Sequence, residues 1–268
     1  MQEGLFDNRI MINFYQVYGI MRSGNHILIN WILANNFGNS TFINDIDPSS
    51  EKVSMDSDGL PCFKYNHLRR VPLDKKPNTV VVSLENRPFS NCKTQYRYLD
   101  YCNSKYKYVD FNSVVIIRDY FNIMASTYKC LKADRWFVNR RNGNFIESPD
   151  PYYHMWFRYA HEFIQCANDQ NAGCGINYDK FIDNQTYRNE VAVELKIKNE
   201  NRGLEQVPAF GFGSSFGTDA KSGFLDRWRE FKDDKDFASL VKGGMPIVGP
   251  LYKQIFGETE QYNYFKNL

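Results

Sequence analysis

No stretch of the chain approaches the roughly 18 consecutive apolar residues of a membrane span, and the opening MQEGLFDNR lacks the basic-then-apolar layout of a secretory leader. The expectation is a soluble, cytoplasmic protein with no membrane span, although the glycosylation sequons at Asn39 and Asn184 leave a lumenal origin open. Cysteine is sparse and scattered. Cys62, Cys92, Cys102, Cys130, Cys166 and Cys174 form no C-x-x-C pair and meet no paired histidine spacing, which favours reduced thiols over disulfides or zinc. Net charge is nearly absent, at +2, and Lys and Arg are spread along the chain, which argues against a nucleic-acid binder. There is no internal repeat, low-complexity tract or linker. With 43% hydrophobic residues in 268, the chain can bury one large core, and a single domain over 1–268 is expected.

What is present is concentrated between Phe14 and Asn36, FYQVYGIMRSGNHILINWILANN: an apolar strand, a tight loop from Gly19 to Gly24, and a run suited to a buried helix. Two glycines with four residues between them let successive backbone N–H groups turn toward one anion, and the helix aims its positive dipole end at the same place. A nucleotide triphosphatase needs Lys and then Ser or Thr after the second glycine, for the β/γ-phosphates and for magnesium. Asn25 and His26 stand there instead, so the loop fits a phosphate-bearing ligand that needs no metal. A second segment, residues 113–128, is again an apolar strand that ends in Arg118 and leads into a helix with Ser126 eight residues further on. A guanidinium at a strand's carboxyl end and a hydroxyl one or two turns into the next helix can converge on one phosphate.

Strands are expected at 14–20, 61–65, 80–84, 114–117 and 173–178, several of them continuous Val/Ile runs that suit parallel strands covered on both faces. Helices are expected at 26–36, 121–131, 153–168, 185–195 and 225–231. In the third, Met155, Trp156, Tyr159, Phe163 and Ala167 recur near helical spacing and read as core. Residues 36–57 and 135–150 read as long surface loops, of the kind that serve as lids or binding loops. The fold class expected is α/β: three layers, α/β/α, with a central, mostly parallel sheet and a P-loop-like loop.

The two segments resemble the sulfotransferases that use 3′-phosphoadenosine 5′-phosphosulfate (PAPS). That family has a 5′-phosphosulfate loop of the type P-K-S-G-T-T/S-W and a 3′-phosphate motif R-N/D-P-x-D-x-x-x-S. Arg22-Ser23-Gly24-Asn25-His26 stands in for K-S-G-T-T, and Arg118-Asp119 with Ser126 keeps the Arg-to-Ser spacing. Arginine replaces the usual lysine, Asn25 and His26 replace two hydroxyl residues, and Tyr120 replaces the proline. Further on, Tyr178-Asp179 resembles the family's Y-E-D-L segment near the adenine, and Ser215-Phe216 its S-S-F adenine contact. Lys221-Ser222-Gly223, leading to Asp226-Arg227-Trp228, resembles the R-K-G-x-x-G-D-W loop that closes over the 3′-phosphate. The resemblance implies PAPS as co-substrate, 3′,5′-adenosine bisphosphate (PAP) as product, no metal, and a small-molecule, lipid or carbohydrate acceptor for a monomer or homodimer.

Sulfuryl transfer, like phosphoryl transfer, is an in-line attack with charge building on the leaving phosphate oxygen, so acceleration comes from positioning and from cations placed where that charge grows. Arg22 is the expected leaving-group cation. The stretch from Cys62 to Leu68 resembles the family's K-T-H-L-P segment, which makes Lys64 a cofactor contact and His67 the base that takes the acceptor's proton. One extra residue separates Lys64 from His67, so Asn66 is an alternative occupant of the histidine position, and Glu85 at the end of the 80–84 strand is an alternative base. His154 and His161 read as structural. Two other classes stay open: a P-loop kinase of a small metabolite, and a non-catalytic nucleotide-binding relative.

Overall fold

In a computed structural model, residues 11–36, 40–43, 53–55, 61–63, 78–86, 108–132, 150–169, 171–198, 200–204 and 225–268 are described. Their main sheet has five strands: β1 (Met11–Gly19), β2 (Ser40–Ile43), β5 (Thr79–Glu85), β6 (Tyr108–Ile117) and β7 (Cys174–Asn177). Spatial order is β2-β5-β1-β6-β7, and every neighbouring pair is parallel. A separate antiparallel pair joins β3 (Val53–Met55) to β4 (Pro61–Phe63). The helices are α1 (Asn25–Asn35), α2 (Tyr120–Lys132), α3 (Asp150–Asn168), α4 (Tyr178–Asp183), α5 (Gln185–Glu194), α6 (Lys235–Phe256) and α7 (Glu260–Lys266), with a 3₁₀ turn at Arg227–Glu230.

The strand sequences explain the layers. Side chains alternate across a sheet, and here both sets are apolar: Val80, Val82 and Leu84 of β5 join one core, while Val81 joins the other. In β6, Val115 and Ile117 face the first core and Val114 and Ile116 the second. The first core is strongly aromatic and packs α2, α3, α6 and α7 against its face, with Phe121, Trp156, Tyr252 and Phe265 buried in it. The second is more aliphatic and holds α1, α4 and α5 through Leu28, Ile32, Phe181 and Val191. The architecture is thus the expected three-layer α/β/α fold.

Several local expectations need correction. The 36–57 segment, read as a surface loop, contains β2, which extends the main sheet alongside β5, and β3. The strand expected at 61–65 is described over Pro61–Phe63, where it pairs with β3 outside the main sheet. The helix expected at 225–231 is a single 3₁₀ turn. In α3, Trp156 and Tyr159 are buried as expected, whereas Ala167 is exposed and Cys166 takes the core position beside it. Helix α6 was not anticipated, because Gly243, Gly244, Pro246, Gly249 and Pro250 argue against a helix there. Cys130, Cys166 and Cys174 are buried, and among the described residues none of them forms a disulfide. Among the described residues no helix is long and apolar enough to cross a membrane.

Candidate functional site

Strands β1 and β6 are neighbours, yet β1 leads to α1 in the layer of the aliphatic core while β6 leads to α2 in the layer of the aromatic core. The chain therefore departs in opposite directions from adjacent carboxyl ends. Such a switch point opens a crevice where ligands of α/β sheets bind.

The β1–α1 loop forms one wall. Ser23 N–H closes the turn on the Ile20 carbonyl at 2.9 Å, and Met21 N–H donates to Asn86 Oδ1 at 2.9 Å beyond β5. Ser23 Oγ donates to Asn25 Oδ1 at 2.7 Å, while Asn25 Nδ2 donates to Glu85 Oε1 at 3.2 Å. The side chains of Ser23 and Asn25 are thus turned inward and buried, bracing the loop. Gly24, with φ 96°, caps α1, whose first turn has no side-chain cap and no acidic residue. A Cβ on Gly24 would lie 2.0 Å from the Tyr178 ring, so both its left-handed backbone and its packing require glycine. Arg22 adopts φ 75° without being glycine, a strained conformation of the kind that gathers at ligand clamps. His26 is half-buried, with its ring edge-on to Phe42 at 6.4 Å between centroids.

The β6–α2 turn forms the opposite wall. Arg118 is buried, donates through Nη1 to the Arg22 carbonyl at 3.2 Å, and stacks over Tyr178 with 4.8 Å between guanidinium carbon and ring centroid. Its own carbonyl accepts from Trp156 Nε1 at 2.8 Å, and Asp119 Oδ1 caps α2 by accepting from Asn122 N–H at 2.8 Å. Ser126 is fully buried two turns on. It accepts a hydrogen bond from Arg227 Nη1 at 3.1 Å.

Arg227, in the late segment before Trp228, is a site residue that sequence reasoning alone misses. Asn122 places it: Nδ2 donates to the Leu225 carbonyl at 2.8 Å, and Oδ1 accepts from Trp228 N–H at 3.4 Å. The signal in the sequence was an arginine where the family's loop pattern has aspartate, next to Trp228. Burial first, and then the charges of Arg118 and Arg22, hold the Arg227 guanidinium well below the ordinary arginine range. Three arginines thus share one neighbourhood, two of them buried, an arrangement that favours bound negative charge.

Glu85 lies at the end of β5, opposite Gly19 of β1, so it flanks the cradle loop. Tyr152 near the start of α3 is buried and feels both Arg22 and Glu85; burial raises its phenol, and Arg22 opposes the rise. Tyr178 is fully buried between Gly24 and Arg118, so its ring is part of the floor. The structure therefore brings together Arg22, Ser23, Gly24, Asn25, Glu85, Arg118, Ser126 and Tyr178, and adds Arg227. His154 and His161 are exposed on α3, each against an aromatic neighbour on the same helix. Lys64, Asn66, His67, Ser215, Phe216, Lys221, Ser222 and Gly223 lie outside the described residues.

No protein-family model matches the chain, and no curated protein does. Among solved structures, the chain is similar to the mouse sulfotransferase SULT7A1 complexed with PAP, at 12% identity and a TM-score of 0.44, covering 96% of this chain and 88% of that one. A likeness that remote carries no argument about activity.

Proposed function

We propose that the protein transfers a sulfuryl group from PAPS to a hydroxyl or amine of a small-molecule, lipid or carbohydrate acceptor, without a metal. The observation that carries this reading is the gathering of Arg22, Arg118 and Arg227 where β1 and β6 end, around a glycine loop that lacks the Lys-Ser/Thr pair of a metal-dependent nucleotide site. Bound PAPS supplies an activated phosphosulfate bond and two separated phosphate positions. The residues fit such a ligand: the cradle loop and Arg22 suit the 5′ side, and Arg118, Ser126 and Arg227 suit a second phosphate, with Tyr178 as the floor between them.

In this reading Arg22 sits where leaving-group charge accumulates. Its backbone is already held in a strained conformation of the kind found at ligand clamps, so less reorganisation is left for the transition state. Ser23 and Asn25 act through the loop they brace, and His26 at the head of α1 is a phosphate donor. Glu85 is the described candidate for taking the acceptor's proton, with His67 and, in its place, Asn66 as the sequence-derived alternatives and Lys64 as a further cation. The late residues Ser215, Phe216, Lys221, Ser222 and Gly223 complete the adenine and 3′-phosphate contacts.

Calorimetric titration with PAP in EDTA, beside ATP with and without magnesium, tests the reading. Metal-free binding of PAP with weak ATP binding is expected, and magnesium-dependent ATP binding alone would move the protein to the kinases. Transfer assays then rank the bases. His67→Ala should leave PAP affinity nearly unchanged and remove transfer; if transfer survives and Glu85→Gln removes it, the base is Glu85. Binding with no consumption of PAPS across an acceptor panel would instead mark a non-catalytic relative.

A further inference from the structure

The register of β6 and β7 places Ile117 opposite Asn177, so the next residues out, Arg118 with Tyr178 and Asp119 with Asp179, meet beyond the sheet as two matched dipeptides. The first pair is the cation-over-ring stack that floors the crevice. In the second, Asp119 N–H donates to Asp179 Oδ2 at 2.7 Å, and both carboxyls lie within the electrostatic reach of Arg118.

The two acids are provided for very differently. Asp119 accepts from Asn122 N–H, from the Tyr252 hydroxyl of α6 and from Gln261 Nε2 of α7 at 2.8 Å. Tyr252 is itself held by Thr259 Oγ1 at 2.9 Å, so the C-terminal helix pair is anchored on this one carboxylate. Asp179 has the Asp119 amide on Oδ2 and its own backbone amide, and its buried Oδ1 takes no hydrogen bond from another described residue. A buried charge is tolerated where donors surround it and disfavoured where they do not.

We propose that Asp119 and Asp179 are a positioning pair for Arg118 that carries a single negative charge, settled on Asp119, while Asp179 keeps its proton. The charge on Asp119 fixes Arg118 against Tyr178 and the Arg22 carbonyl. The proton on Asp179 prevents a second buried anion from opposing the ligand. The groups facing the pair are Arg118 on its own strand end, Tyr178 and, next to it, Arg227, Tyr252 from α6, and neutral Gln261 from α7. Burial, then the neighbouring Asp119 charge, raises Asp179 to about 7, and burial raises Asp119 against the pull of its donors and of Arg118.

The test has a ligand-free arm and a ligand arm. A carboxyl raised in the folded state makes the protein lose stability as pH rises from its unfolded value toward its folded one. Thermal unfolding of the wild type and of Asp179→Asn should therefore nearly coincide near pH 4 and separate by several degrees by pH 8, with the Asn variant higher. Parallel profiles would overturn the assignment. Should Asp179→Asn fail to fold, Asp119→Asn removes the charge beside Asp179 and should move the pH dependence of stability to lower pH; an unmoved profile counts against the pair equally. The ligand arm rests on the sulfotransferase reading and uses PAP. Its affinity should weaken from pH 7 to 8.5 in the wild type, as Asp179 ionises, and stay flat in Asp179→Asn. A wild-type decline that Asp179→Asn retains would remove the link to Arg118. Failure of PAP to bind at all would sink the proposed function and that link together, while the ligand-free profiles would still decide the pair.

Discussion

The turn after β1 and the turn after β6 are built at the same level of the same sheet, and they present opposite kinds of chemistry. The first works through the main chain: its polar side chains, Ser23 and Asn25, face inward, and its backbone is bent through Arg22 and Gly24 into left-handed conformations. The second has a capped, ordinary helix start and works through side chains, with Arg118 and Ser126 buried and Arg227 brought in from a turn about a hundred residues later. A cradle of amides fits any tetrahedral anion. On the proposed function, a cluster of guanidiniums and a hydroxyl at fixed positions reads where a second anion sits, and that is where discrimination should lie.

Substitutions can separate the two. The largest effect is expected in the first turn: Gly24→Ala forces a Cβ into the Tyr178 ring and strains a left-handed residue, at a cost of about 3 kcal/mol in urea unfolding together with loss of anion binding. In the second turn, Arg118→Met keeps most of the buried stem but removes the fork, and PAP binding should weaken by at least ~1.5 kcal/mol by calorimetry. Arg227→Met sharpens the comparison because its two readouts should move in opposite directions. PAP affinity should fall about tenfold, while the free protein melts higher by ~1 kcal/mol, since a buried cation next to two others is replaced by apolar volume. The smallest effect belongs to Asn25→Ala, which removes a brace of the loop and should cost about 1 kcal/mol of stability, with PAP affinity reduced only through loosening of the cradle.

The elements that make these turns were legible because their signals are local. Continuous Val and Ile runs mark strands covered on both faces, and the Gly19-to-Gly24 and Arg118-to-Ser126 spacings sit where such runs end. What escaped depends on distant partners. In α6, Gly244 argues against a helix by propensity, yet a Cβ there would come within 2.3 Å of the Tyr120 hydroxyl, so the glycine is what lets the helix pack so closely. Strand β2 is four residues in a polar stretch and forms because the edge of β5 accepts it. Arg227 becomes a site residue only through Asn122 and Ser126 on α2, a connection that no spacing within its own segment reveals.

The central claim is that the second turn reads a second phosphate. Its most direct measurement is calorimetric comparison of 3′,5′-adenosine bisphosphate with adenosine 5′-monophosphate, in EDTA, on the wild type and on Arg118→Met. The account predicts that the wild type prefers the bisphosphate by at least about tenfold and that the variant loses most of that preference while still binding the monophosphate. Equal wild-type affinities for the two nucleotides, or a preference that Arg118→Met leaves untouched, would contradict it.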